Sequence, residues 1–459
     1  MQKDKRKNER GTSSPRGTSS AKARSMPPVS PAKTAKPVGY SVNPSIPQRP
    51  TPDFTNAGGV GVAVAGSAVR KSAAVKPRAA KPVKVKKQRE RLAKFDYPFF
   101  TIVIVLMAFG IVMMFSASYA TSFRRFGDSY YYVYRQLAFI GLGLVAMLIL
   151  SVTDYHVMLN KHIIKIGVII LAALMLLVTF AGTGQAGAGR WLEFGGISIQ
   201  PSEILKFALI VIFAYLAHTK HARIKEFKHG FLPFMVVLLT ACGLMFAQRH
   251  LSGTIIIFAI GLIMMFVGDC KVSHIVVMVL SFAVLGALGL MAMKAIGYDY
   301  FTERIIGWQN PEADIRGFTF QTYQSLITIG SGGFFGLGLG NSRQKYSYLP
   351  ESHNDFIFSI ICEELGFVGA VLVILLFVLF VFRGFYIAVR ARDKFGMMLA
   401  VGITSHLGIQ ALLNIGVVTN SLPNTGISLP FFSYGGSALV MQLAEIGVVL
   451  NISRKAAIE

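Results

Sequence analysis

Acidic residues are scarce in this chain. Only 22 of its 459 residues are Asp or Glu, and charged residues of either sign make up 15%. A soluble domain carries about 25%, so the deficit excludes an ordinary water-solvated globule. Cysteine is rarer still. Cys242, Cys270 and Cys362 lie in or beside apolar runs with no metal-ligand spacing, which excludes a disulfide framework and a thiolate metal site. They read as reduced, packed thiols. The first 94 residues lack any long apolar run, so no secretory signal peptide is expected within about the first 30 residues. A GxxxxGK[ST] segment is also absent, which excludes a P-loop.

What fills the chain instead is apolar. Hydrophobic residues reach 53% and the mean hydropathy is +0.54. The net charge of +24 is unevenly placed: residues 1–94 hold 22 of the 46 Lys and Arg against 4 of the 22 acids. That segment is rich in Ser, Pro, Ala, Gly and Lys, and cannot bury enough surface to offset its ordering entropy. It is expected to be a disordered basic cytoplasmic tail. Its cluster from Lys81 to Lys94 abuts the first apolar run, where basic residues bind anionic lipid and hold that end inside. A nucleic-acid role is set aside, because the tail has few aromatics for base stacking and no recognisable module.

A bilayer span needs about 20 apolar residues. Ten segments qualify: 98–118, 137–153, 162–181, 200–217, 231–247, 253–269, 272–293, 356–382, 397–417 and 433–452. The fold expected is an all-α integral membrane protein of about ten transmembrane helices over residues 95–455. With an inside start, the basic residues Lys161, Lys220, Arg223, Lys225, Lys228, Arg383, Arg390, Arg392, Lys394, Arg454 and Lys455 all fall on one side, as the positive-inside rule requires. Both termini are then cytoplasmic. The opposite side holds loops 119–136, 182–199, 418–432 and, by far the longest, 294–355, between helices seven and eight.

The run from Lys345 to Phe358 brings a carboxylate, Asp355, to the outer mouth of the eighth span. Partial desolvation there raises a carboxyl pKa and suits it to accept a proton near neutrality. Lys345 and His353 would restrain that shift or orient a diphosphate. The plainer alternative makes Asp355 an N-cap. Glu363 and Glu364 lie deeper on the same helix, where acids are costly and either functional or internally paired. Glu203 and Lys206 share a helical face at i and i+3 after Gln200-Pro201-Ser202, serving either packing or substrate contact. Arg190 beside Trp191 sits at interface level and would meet a phosphate. The glycine run from Gly330 to Gly340 reads as backbone that lies close to neighbouring helices. Leu422 to Ser437, with its prolines and glycines, reads as a re-entrant turn.

These motifs together resemble the SEDS family, the group containing FtsW, RodA and SpoVE. The resemblance spans residues 98–453 and rests on Arg190-Trp191, Gln200-Pro201-Ser202-Glu203 with Lys206, Gln321 with Gln324-Ser325, Leu349 to Phe356, Glu363-Glu364-Leu365-Gly366, and Pro423 to Ser437. The long tail and the C-terminal pattern lean towards FtsW or SpoVE. The resemblance implies a peptidoglycan glycosyltransferase that polymerises lipid II at the outer membrane face, with Asp355 matching the family's essential aspartate. It also implies Arg190, Glu203, Lys206, Gln321, Lys345, His353 and Ser433 as substrate contacts, and a divalent Mg or Mn ion as a further candidate for the diphosphate. A class B penicillin-binding protein, with divisome or elongation proteins, is the implied partner, and the division septum the implied place. Two departures stand out: Gln248-Arg249-His250-Leu251 where relatives often read Gln-Pro-Asp-Leu, and Ser347 where division members often have Glu. The alternatives are a lipid II flippase and a scaffold that recruits a transpeptidase.

Overall fold

The structure is a computed structural model that describes residues 95–182, 189–194, 197–295, 300–346 and 348–456. The basic tail read from the sequence lies outside these residues. Helix α1 (Tyr97–Phe126) begins where Asp96 accepts the Phe99 backbone N–H and Pro98 occupies the first turn. It ends at Gly127, in the left-handed conformation with φ of 73°. α2 (Tyr131–Val152) follows at once. The loop expected over 119–136 is therefore corrected to the short turn 127–130. Polar and aromatic residues at these helix ends fall below a hydropathy threshold, yet adding them to an existing helix needs no new nucleus.

The remaining long helices are α3 (Lys161–Ala181), α4 (Pro201–Thr219), α5 (Leu232–Ala247), α6 (Leu251–Val267) and α7 (Val272–Ala295). The long loop after α7 holds two short helices, α8 (Tyr300–Gln309) and α9 (Phe320–Ser331). Then come α10 (Ile357–Val389), α11 (Lys394–Val418) and α12 (Gly436–Lys455). Among the described residues nine helices are long and apolar enough to cross a bilayer, α5 reaching that length as Phe227–Ala247 with the π-helical turn that leads into it, and α6, with 17 residues, is a shorter apolar helix. One element departs from an all-helical reading: β1 (Leu192–Phe194) pairs antiparallel with β2 (Ile197–Ile199), Leu192 opposite Ile199. Three-residue strands are too short for alternation to register.

Contacts sort the connections into two ends. At one end Asp96 pairs with Arg383 at 2.8 Å, Asp154 with Lys455 at 2.6 Å, and Lys394 with His221 at 2.9 Å. At the other, Arg190 reaches the Arg249 carbonyl, Trp308 the Asn420 carbonyl, and Ser437 the Gln200 N–H. The core between them is built on α11 and α12, the most buried helices. α12 lies along α2, and Gly447 permits it: a Cβ there would stand 2.5 Å from the Met147 carbonyl oxygen. Small residues at such crossings let membrane helices approach closely.

Two irregular segments shape the site end. α10 breaks at Gly366, whose φ of 65° and ψ of −162° are not helical. The glycine-rich stretch after α9 repairs the break. Leu337 and Gly338 donate to the carbonyls of Glu363 and Glu364, while Phe367 and Val368 donate to those of Gly333 and Phe334, at 2.9–3.2 Å. The glycines thus do what the sequence reading assigned them, bringing backbone against a neighbouring helix. The second segment, between α11 and α12, turns into the bundle and buries Ile427, Leu429, Phe431 and Phe432. Non-helical backbone at this depth must be satisfied by protein. Gln410 donates to the Ser428 carbonyl, Asn414 to that of Ile427 and Gln136 to that of Ser433.

Candidate active site

Asp355 lies just before α10, at the site end. The cap of that helix is Phe356, and no side chain caps it, so the N-cap alternative does not hold. Gly426, at φ of 67°, stands against the aspartate: a Cβ there would sit 3.2 Å from Asp355 Oδ2. The carboxyl is half-buried. Burial pushes its pKa up to about 6, nearby Glu351 adds to the rise, and Arg304 and Arg190 oppose it. Next to Gly426, Asn424 and Thr425 line a small open recess together with Arg190, Arg249, Leu251, Ser252 and Arg304. Ser252 bonds the Thr425 carbonyl and Arg304 the Asn424 carbonyl. A carboxyl poised to take a proton therefore lies near a recess lined by three arginines, two of which act on its charge.

Strain gathers in the same place. Of the five non-glycine residues with positive φ among the described residues, Arg249, Glu351, Asn420 and Phe431 lie in the connections that frame this end, and Asp269 lies at the other. Such conformations cost about 1–3 kcal/mol each and cluster at functional sites. Arg190 donates to the Arg249 carbonyl at 2.5 Å while its buried Nε has no partner, and the Thr425 hydroxyl and His250 Nδ1 are likewise buried without one. Burial and the neighbouring Arg190 push the His250 ring down to about 3, which keeps it neutral.

The sequence candidates divide. Arg190 lines the recess, and Gln321 reaches its lip through a 3.4 Å bond from Asn424. Glu203 and Lys206 pair at 2.7 Å inside the bundle, and Lys206 continues to Gln410 at 3.0 Å. Gln410 meets His406, and His406 meets Glu445, so α4, α11 and α12 share one buried polar chain. Lys345 does not join Asp355. Its three N–H donors go to Glu364 at 3.0 Å, Ser116 at 3.1 Å and the Gly340 carbonyl at 2.6 Å, a complete set for an ammonium. Glu364 takes Ser116 as well, and Glu363 takes Ser342 and the Arg343 N–H, so both acids are internally paired.

Nor does His353 serve as a cation. It is buried against Tyr132 and Tyr434, with ring centroids 4.6 and 6.1 Å away, and burial lowers its pKa. The Ser433 hydroxyl is spent on the Leu429 N–H and the Asn354 carbonyl, which ties the loop of Asp355 to the re-entrant segment. Among the described residues no group of three or more His, Cys, Asp or Glu side chains converges on one point. The recess residues suit an anion, and a divalent ion has no cage of protein carboxylates there.

Sequence reasoning missed Arg249, Arg304, Asn414, Gln410, His406 and Glu445. The three on α11 carried a readable signal. His406, Gln410 and Asn414 are polar residues spaced by four in an apolar span, one stripe on a helix facing inward.

Comparison with known proteins fits this architecture. The model of a cell cycle protein family grouping FtsW, RodA and SpoVE matches residues 97–458. Stage V sporulation protein E of Bacillus subtilis (strain 168) is 40% identical over 357 residues, covering 77% of this chain and 95% of that protein. A probable peptidoglycan glycosyltransferase FtsW of Geobacter sp. (strain M18) is 37% identical over 371 residues, covering 80% and 98%. A chain in the structure of a peptidoglycan synthase complex that coordinates polymerization and crosslinking superposes with a TM-score of 0.64 at 27% identity, over 78% of this chain and 98% of that one. With nine described helices fit to span a bilayer and a match across the whole membrane region, this chain is a multi-pass membrane protein that belongs to the FtsW/RodA/SpoVE family.

Proposed function

We propose that this chain is a peptidoglycan glycosyltransferase that polymerises lipid II into β-1,4 glycan strands at the outer face of the cytoplasmic membrane, in cell division or cell-shape growth. The observation that carries the reading is the Asp355 carboxyl, raised to about 6, beside a recess bearing Arg190, Arg249 and Arg304. Asp355 acts as general base. It takes the proton of the acceptor's 4-hydroxyl as that oxygen attacks the donor's anomeric carbon. The bond from that carbon to the diphosphate breaks on the opposite face, and the configuration inverts. Base catalysis of this kind contributes about 10²–10⁴-fold. The arginines hold the charge that develops on the departing diphosphate, the task that preorganised cations perform best in a site sheltered from water. A Mg or Mn ion would enter as a companion of the substrate's phosphates, and no step here depends on it.

Orientation follows from charge. Lys161, Lys220, Arg223, Lys228, Arg392 and Lys455 lie at the end away from Asp355, which the positive-inside rule assigns to the cytoplasm together with both termini. A class B penicillin-binding protein is the partner that would cross-link the strands, at the division septum with other divisome proteins. Likeness to a chain from a complex joining polymerization to crosslinking supports that pairing. The test is lipid II polymerisation by the purified chain with a cognate transpeptidase, wild type against Asp355→Asn. Glycan ladders from wild type alone, with both proteins folded, are expected. Equal ladders from both would remove Asp355 from the mechanism.

A further inference from the structure

Asn414 has no part in the chemistry described so far, yet its side chain ties α11 to the Asp355 loop. It is 1% exposed. Its single NH₂ group donates twice, to the Asp355 carbonyl at 2.7 Å and to the Ile427 carbonyl at 2.6 Å. These two carbonyls belong to different connections, one carrying the aspartate and the other carrying Gly426, which packs on Asp355 Oδ2. Both connections are irregular, and irregular backbone has no ladder of its own to hold it in register. They are also bonded to each other through Ser433 to Asn354 and Tyr434 to His353. Those bonds join loop to loop. The Asn414 amide instead refers both loops to a rigid, deeply buried helix.

We propose that Asn414 is a positioning residue for glycosyl transfer, fixing the Asp355 carboxyl relative to Gly426 and the arginine recess. The inference rests on the glycosyltransferase reading above. Its chemical logic is one of donor count. A carboxamide nitrogen offers two N–H groups, and both are used on the two carbonyls that must be held together. No other uncharged side chain of this size offers two donors on one atom. An aspartate in its place, when ionised, presents only acceptors to two carbonyl oxygens and would push the loops apart. A second observation supports a site rather than simple packing: among the described residues, Asn414 Oδ1 and Asn354 Oδ1 are both buried without a hydrogen-bond partner. Buried acceptors are normally satisfied, and exceptions call for a reason such as a functional group or ligand nearby.

A misplacement of about 1 Å at a reacting group costs about 100-fold in rate. The full chain with its transpeptidase is assayed on lipid II as wild type, Asn414→Ala and Asn414→Asp, alongside Asp355→Asn. The expected result is a fall in kcat of about 100-fold for both Asn414 variants with KM changed less than about twofold, the pattern of an interaction that matters in the transition state. The pH profile adds a readout that mere packing would not move. Asp355 faces Glu351 from its own connection, Arg304 from α8 and Arg190 from the segment before α4. Loosened by Asn414→Ala, its carboxyl gains water and its acid limb falls from about 6.

Wild-type kcat in a folded Asn414→Ala protein would overturn the proposal. So would parallel losses of kcat and melting temperature with the acid limb unmoved, since that is the signature of a structural role. If Asn414→Ala does not fold, the isosteric Asn414→Asp decides by the kcat and KM split alone. Absence of glycan from wild type would instead remove the glycosyltransferase reading, and this proposal with it.

Discussion

Lys345 and Glu364 form a buried pair, 4% and 0% exposed, that joins the loop before α10 to α10 itself and, through Ser116, to α1. Removing one partner of such a pair leaves an uncompensated buried charge, at a cost of about 3–5 kcal/mol. The structure ranks the two single losses. After Lys345→Met, Glu364 keeps Ser116 at 2.7 Å and the Ser342 N–H at 3.3 Å, so part of its charge stays solvated by donors. After Glu364→Leu, Lys345 keeps only the Gly340 carbonyl and the Ser116 hydroxyl, with no negative charge. The second loss should therefore sit near the upper end of that range and the first near the lower. The double variant removes both charges and should recover most of the stability, because an apolar replacement of a buried pair is often nearly neutral. Equilibrium unfolding of the four proteins in one detergent, treated as a double-mutant cycle, measures the coupling. Additivity within about 0.5 kcal/mol would refute the reasoning, since it would mean the pair does not interact.

Four further outcomes follow from the structure. Activity should rise with pH through about 6, because Asp355 must lose its proton to act as base. The same raised pKa means that ionising Asp355 costs stability, fully spared below the ordinary carboxyl range and lost as pH rises through about 6. Asp355→Asn should therefore be inactive yet about 1 kcal/mol more stable at pH 7, read by thermal unfolding at pH 5 and pH 7; an equal melting point at pH 7 contradicts the burial argument. Arg304→Gln should lower kcat/KM by about 10- to 100-fold and move the acid limb upward, since Arg304 both faces the recess and restrains the carboxyl's rise; a limb that stays in place would dissociate the two. Gly366→Ala places a Cβ 2.3 Å from the Gly336 nitrogen in a left-handed conformation, and should cost more than about 2 kcal/mol by thermal unfolding, while an unchanged midpoint would show that the repaired break is not rigid.

The membrane helices were legible because a span must be apolar over a fixed length, and nothing else in a soluble-like composition produces that pattern. Their ends were not, since Tyr119 to Phe126 extends α1 on helical propensity rather than hydropathy. Asp355 was legible because a carboxylate at a span's mouth is unusual. Lys345 looked equally unusual in sequence and proved to be spent on Glu364, and a separation of 19 positions gives no hint of which acid a lysine meets. Arg249 stood out only as a departure from the family pattern, and Arg304 is an ordinary loop arginine in sequence. Only the inward fold of the segment after α11 gives them a recess to share. The α11 stripe was open to view and went unread because neutral polar residues draw less notice than charges, although the bilayer penalises both.

The two ends of the bundle are fastened by different means. Away from Asp355, the fastening is by ionic partners near water: Asp96 with Arg383, Asp154 with Lys455, and Lys394 with Asp269. Around Asp355 it is by side-chain donors on neutral backbone carbonyls: the amides and hydroxyls of Gln136, Ser252, Asn414 and Ser433, with the guanidinium groups of Arg190 and Arg304. Mobile ions weaken the first kind and scarcely touch the second. Ionic strength thus acts as a selective probe of this molecule: it slackens the basic end while leaving the catalytic frame taut, so a salt dependence of turnover reports how the arginines attract a phosphorylated substrate.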